Sequence, residues 1–175
     1  MTSTESLART LADQPFLSAI PTASLRRLAA HVQTQDYPPD HVLFREGGTA
    51  DRFFLLRQGL VRLDIEVPGR GPVSIETLAA DAALGCSWLF APFEWKLSAI
   101  TVKRTKVLVF DAAVLRTLMA ADPVLGYELM RRFASVMYDR LQVTRLRLSQ
   151  ETADVPTAGV AGPWAGRRTT VPAWN

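Results

Sequence analysis

The sequence has few of the residues on which metal, disulfide and nucleophilic chemistry usually depend. It contains one cysteine, Cys86, and two histidines, His31 and His41. A single cysteine cannot form a disulfide within the chain, and two histidines without nearby cysteine partners do not support a metal site. Motifs for nucleoside triphosphates, dinucleotides, zinc proteases and serine hydrolases are also missing. We therefore expect no metal and no enzymatic activity.

Long hydrophobic runs are missing as well. No stretch of 18 apolar residues occurs, and the N-terminus is acidic and polar where a secretory signal would be basic and then apolar. These absences predict a cytoplasmic protein that does not associate with membranes. Apolar residues nevertheless make up 48% of the 175 residues, which is enough to bury the core of one domain.

Basic residues are concentrated in the second half of the chain. Residues 101–175 hold 11 Lys and Arg against 6 Asp and Glu, although the whole chain carries a net charge of only +3. Such an excess of positive charge can bind nucleic acid through counterion release. Arginines spaced along a solvated helix account for the same excess, so we do not expect DNA to be a partner.

The chain divides by its residue pattern into three parts. Residues 1–13 form an N-terminal segment with a short amphipathic helix, and a second helix is predicted from Pro21 through Val32. Residues 14–150 are predicted to form one domain. Residues 151–175 are rich in Pro, Gly, Ala and Thr and lack periodicity, which predicts a flexible tail.

Short β-rich runs separated by Gly and Pro occupy the middle of the chain. Six such runs with turn signals between them favour a barrel or jelly roll, and hence a mainly β fold with flanking helices. The predicted strands are His41–Phe44, Phe53–Arg57, Leu60–Val67, Val73–Leu78, Lys96–Val102 and Val107–Phe110.

Two helices are predicted after the last strand. Asp111 is a candidate N-cap for a helix that ends before Asp122, and Pro123 suits the first turn of a longer helix over 123–149. That helix would span roughly 40 Å, so part of its apolar stripe needs a partner. We predict a homodimer whose interface contains Leu129, Phe133, Val136, Met137 and Leu141.

Four segments in this order resemble the cyclic nucleotide-binding domain of the bacterial catabolite activator and fumarate-nitrate regulator family. Residues 16–21 (FLSAIP) resemble its first helix, and residues 42–59 resemble its first two strands. Residues 84–99 fall where the family has its phosphate-binding cassette, and residues 140–144 (RLQVT) resemble the helix that meets the base. The resemblance implies a double-stranded β-helix, or jelly roll, with N-terminal helices and a long C-terminal helix.

The same resemblance implies a pocket for a cyclic nucleotide such as cAMP or cGMP, or for another small ligand. Gly85 matches the cassette glycine, but Cys86 stands where the family has a glutamate for the ribose. The phosphate-binding arginine corresponds to Leu97, or to Lys96 if the loop is counted forward from Gly85. The candidate ligand-binding residues are Gly85, Cys86, Ser87, Trp88, Lys96, Leu97, Ser98, Ala99, Arg140 and Thr144.

The cassette is also rich in aromatic residues, namely Trp88, Phe90, Phe93 and Trp95. These side chains either close the core beneath the cassette or line an altered pocket for a flatter, less charged ligand. Cys86 likewise is either an inert buried side chain or a redox-sensitive thiol.

Three functions are compatible with these residues. The leading hypothesis is a non-enzymatic regulatory or sensor module with a degenerate cassette and weak, altered or absent binding of cyclic nucleotides. The alternative is a dimeric protein-interaction or scaffold module that binds no nucleotide. A DNA-binding transcription regulator is least favoured, because the residues after Gln150 show no helical periodicity for a helix-turn-helix.

Overall fold

The computed structural model describes residues 4–153, which contain two four-stranded antiparallel sheets. The strands are β1 (Val32–Tyr37), β2 (Val42–Phe44), β3 (Arg52–Gln58), β4 (Val61–Val67), β5 (Gly71–Leu78), β6 (Ala83–Leu84), β7 (Ser98–Thr101) and β8 (Thr105–Asp111). The first sheet has the order β1-β8-β3-β6 and the second has the order β2-β7-β4-β5. The predicted mainly β jelly roll is therefore confirmed.

Helices precede and follow the strands, and single 3₁₀ turns occur at Pro15–Leu17 and Ser87–Leu89. The helices are α1 (Thr4–Ala12), α2 (Thr22–Ala29), α3 (Ala112–Ala121) and α4 (Pro123–Ala153). The amide of Val114 donates to Oδ1 of Asp111 at 2.9 Å, which confirms the predicted N-cap of α3. Helix α4 ends four residues beyond the predicted Ser149, and the rest of the predicted tail lies outside the described residues.

The described residues fall into two compact units, one that ends at Val136 and one that begins at Met137. The first unit contains both sheets, helices α1 to α3 and the beginning of α4. In the second unit, the described residues continue α4 to Ala153.

Two strands were not predicted from the sequence. Strand β1 lies at the edge of its sheet, and after Val32 its side chains are polar and exposed or half-buried, so it lacks the apolar alternation of a half-buried strand. Strand β6 has only two residues, too few for a periodic pattern.

The central strands of the first sheet, β3 and β8, are buried on both faces. Residues Phe53 to Leu56 of β3 are four consecutive buried residues, so neighbouring side chains fill opposite faces. On one face, the ring of Phe53 lies 5.4 Å from that of Phe16 and 4.9 Å from that of Phe133. On the other face, inside the roll, Phe54 packs against Phe44 of β2 at 6.0 Å.

The first turns of α4 belong to this core, which corrects part of the predicted dimer interface. Leu129 and Phe133 are buried within their own chain, and the Phe133 ring meets Phe16 and Trp88 at 5.0 and 5.6 Å. Since both side chains are already buried in the first unit, they cannot also form the face presented to a partner. The roles of Val136, Met137 and Leu141 in a dimer remain a prediction.

Candidate ligand pocket

The cassette connects β6 to β7 and begins at Gly85. This glycine has φ +86°, in the left-handed region that L side chains rarely adopt. A Cβ atom at Gly85 would lie 2.8 and 2.9 Å from Cζ3 and Cη2 of Trp95. Both the backbone angle and the neighbouring ring therefore require glycine at this position.

The indole of Trp95 is fixed at the start of this loop. Its ring stacks on Phe44 with centroids 3.8 Å apart and planes inclined by 12°, and the side chain is only 4% exposed. The amide of Trp95 donates to the carbonyl of Gly48 at 2.8 Å, and the amide of Gly47 donates to the Trp95 carbonyl at 2.9 Å. Ring and backbone are thus both held between β2 and the cassette.

The end of the cassette and the first residues of β7, residues 96–99, contribute no buried charge. The Lys96 side chain is 66% exposed, and its Nζ pairs with Oε2 of Glu94 at 2.9 Å. Leu97 is half-buried. Ser98 Oγ accepts a hydrogen bond from the Glu46 amide at 3.0 Å, while Ala99 is fully buried.

Cys86 and Ser87 begin the 3₁₀ turn of the cassette, and both are half-buried. Their carbonyls accept hydrogen bonds from the amides of Leu89 at 3.0 Å and Phe90 at 3.2 Å. The cassette helix is therefore a single turn that fixes the backbone of these two residues beside Gly85.

Trp88, predicted as a ligand-binding residue, is instead part of the core. It is fully buried, and its ring lies 6.3 Å from Phe53 and 5.6 Å from Phe133. Phe53 is on the face of β3 that points away from the roll interior, so Trp88 cannot reach a ligand inside the roll. For Trp88, the expectation that the cassette aromatics close the core is confirmed.

An arginine that the sequence patterns did not single out joins the cassette to α3. Nη1 of Arg116 donates to the carbonyl of Trp88 at 3.0 Å, and its guanidinium lies 4.7 Å from the exposed ring of Phe93. Such a contact depends on tertiary packing, and no pattern in the sequence indicated it.

Arg62 lies on β4, the strand next to β7, and pairs with a carboxylate. Nε of Arg62 donates to both oxygens of the buried Asp64 at 2.8 and 3.0 Å. This pairing raises the pKa of Arg62. Asp64 lies opposite Ser98 in the β4–β7 register. The charge of Arg62 is therefore already compensated next to the cassette strand.

The predicted residues Arg140 and Thr144 lie on α4 in the second unit. The Thr144 hydroxyl donates to the Arg140 carbonyl one turn earlier, at 2.9 Å. Their predicted contact with the base of a nucleotide remains a prediction.

Two other kinds of site are absent from residues 4–153. This part of the chain has no group of three or more His, Cys, Asp or Glu residues that could hold a metal ion. None of its helices has a stretch long and apolar enough to cross a bilayer.

Two antiparallel sheets, a glycine-initiated cassette between β6 and β7, and a long final helix define a β-roll of the cyclic-nucleotide-binding type. A family model described as "cyclic nucleotide-binding domain" matches residues 34–122, about half of the chain. The chain belongs to this family.

The relatives of the chain agree with this assignment. It is 24% identical over 147 residues to a CRP-like cAMP-activated global transcriptional regulator of Mycobacterium tuberculosis, covering 83% of this chain and 64% of the relative. A solved cyclic nucleotide-binding domain from Methylobacillus flagellatus has a TM-score of 0.72 at 21% identity, covering 85% and 84% of the two chains. The Thermus thermophilus catabolite activator protein has a TM-score of 0.63 at 21% identity, covering 79% and 63%. The chain thus spans about two-thirds of the length of the curated relative.

Proposed function

We propose that this protein is a non-enzymatic regulatory module in which binding of cyclic nucleotides by the usual phosphate and ribose contacts is weak, altered or absent. The observation that carries the proposal is the loss of both charged groups from the cassette. Cys86 occupies the glutamate position, and neither Leu97 nor Lys96 supplies a buried arginine.

The loss of these two groups is large on the scale of binding free energies. A hydrogen bond to a charged group contributes about 1.5–3 kcal/mol, so removing the arginine and the glutamate weakens binding by about 3–6 kcal/mol. That corresponds to a loss of roughly two to four decades of affinity. Lys96 does not compensate, because its ammonium group is solvated and paired with Glu94.

A titration of the purified full chain with cAMP and with cGMP tests the proposal. Isothermal calorimetry should give no heat of binding at ligand concentrations up to about 100 μM, well above the micromolar range of a specific complex. Saturable binding of either nucleotide at low micromolar concentration would refute the proposed loss of the family contacts.

A dimeric protein-interaction or scaffold module is the second candidate function. It is favoured by exposed apolar side chains on the part of α4 that lies beyond the first unit, including Leu141, Leu146 and Leu148. A second copy of the chain that pairs along this helix would bury them. Sedimentation of the full chain distinguishes a stable dimer from a monomer independently of the nucleotide titration.

A further inference from the structure

We propose that the Trp95 side chain occupies the ligand pocket of its own roll and excludes a nucleotide from it. The inference rests on the proposed function and deepens it, because it adds a steric barrier to the missing charges. It makes Trp95 a residue that determines which ligands this roll can accept.

The indole lies where a ligand would have to approach the cassette backbone. One face of its ring stacks on Phe44, and its far edge covers the side of Gly85 on which a side chain would project. Glycine has no side chain, so the backbone here is open to any group that lies against it. The group that takes this space is the ring of Trp95.

Several contacts hold the ring in this place. The residue is bracketed by backbone hydrogen bonds to Gly47 and Gly48, and a Cβ at Gly48 would lie 3.6 Å from Cδ1 of the indole. Swinging the ring into solvent would break the stack on Phe44 and expose an aromatic side chain of about 150–250 Å². The arrangement with an open pocket is therefore a minor population.

When only a small fraction of the molecules has an open pocket, the apparent affinity for a ligand equals the affinity of the open form multiplied by that fraction. If the open arrangement is populated at about 1%, the apparent affinity for a nucleotide falls about 100-fold. Restoring the charged groups alone should then be insufficient to produce tight binding. Removing the indole as well should be required.

The test compares two variants of the full chain in calorimetric titrations with cAMP. The first carries Cys86→Glu and Leu97→Arg, and the second carries these changes together with Trp95→Leu. We expect the triple variant to bind cAMP more tightly than the double variant, by about 100-fold if the open arrangement is populated at about 1%.

A matched control places Trp88→Leu, instead of Trp95→Leu, in the same double variant. Trp88 is also buried, but its ring lies beside Phe53 and Phe133 on the opposite face of β3, so its loss should give no gain. Circular dichroism verifies that each variant is folded. If Trp95→Leu prevents folding, Trp95→Phe replaces it and should give a smaller gain of the same sign.

The outcomes separate this inference from the proposed function. Equal affinity of the double and triple variants would overturn the role of Trp95 and leave the proposed function intact. If Trp95→Phe is used instead, an affinity for cAMP no higher than that of the double variant would also overturn the role of Trp95. Tight binding of cAMP by the unmodified chain would overturn the proposed function itself, and this inference with it.

Discussion

Replacing Gly85 by alanine tests the packing of the cassette, because two physical costs arise at this one position. The first is backbone strain, since φ is +86° and a non-glycine residue in this region costs about 1–2 kcal/mol. The second is a clash, since the new Cβ would lie 2.8 Å from the ring of Trp95. The ring cannot give way cheaply, because it is buried and stacked on Phe44.

Overpacking a well-packed core costs about 1–3 kcal/mol, so the strain and the clash together amount to about 2–5 kcal/mol. For a chain of this size each kcal/mol lowers the melting temperature by about 2–4 °C, which predicts a fall of about 4–20 °C for Gly85→Ala. Thermal unfolding followed by circular dichroism measures this fall.

Gly69→Ala is the matched control for strain without a clash. Gly69 has φ +76°, and no heavy atom lies within 4 Å of the position that its Cβ would take, so only the strain of about 1–2 kcal/mol should appear. In a chain that already carries Trp95→Leu, Gly85→Ala should lower the melting temperature by less than it does in the chain with the indole. If Gly85→Ala lowers the melting temperature no more than Gly69→Ala does, the proposed packing of Trp95 against Gly85 is refuted.

Two further predictions concern α4. Leu141 is 46% exposed, so Leu141→Asp should convert a dimer into a folded monomer in sedimentation experiments. Phe133 is buried, so Phe133→Asp should instead unfold the first unit by burying a charge. An unchanged mass for Leu141→Asp would contradict the proposed dimer. The hydrogen bond from Ser24, together with the Leu125 amide and Arg27, lowers the pKa of Asp122. This carboxylate therefore stabilises the fold above its ordinary pKa of about 4, and the stabilisation is lost as pH falls through the lower folded-state value. Asp122→Asn should lose this part of the acid dependence in melts between about pH 6 and pH 2, and an unaltered profile would show that the carboxylate is not responsible.

The elements of this fold could be predicted from the sequence where a local pattern was strong. Alternating apolar residues in β4 and the Asp111 cap of α3 depend on neighbours a few positions away, so both are visible in the chain. The absence of a glutamate at Cys86 and of an arginine at Leu97 is also a property of the sequence. Edge strand β1 was missed because its solvated side chains impose no such pattern.

Only the tertiary structure decided what each apolar or charged side chain meets. Periodicity placed Leu129 and Phe133 on one face of a helix, but packing made that face part of the core. Trp88 and Trp95 lie seven positions apart in one loop, yet one packs on the helix side of β3 and the other on Phe44 inside the roll. Local sequence sets the direction in which a side chain leaves its own backbone, whereas the side chains that cover it come from distant parts of the chain. The proposed loss of charged groups from the cassette could therefore be predicted from the sequence, and the position of the indole beside Gly85 could not.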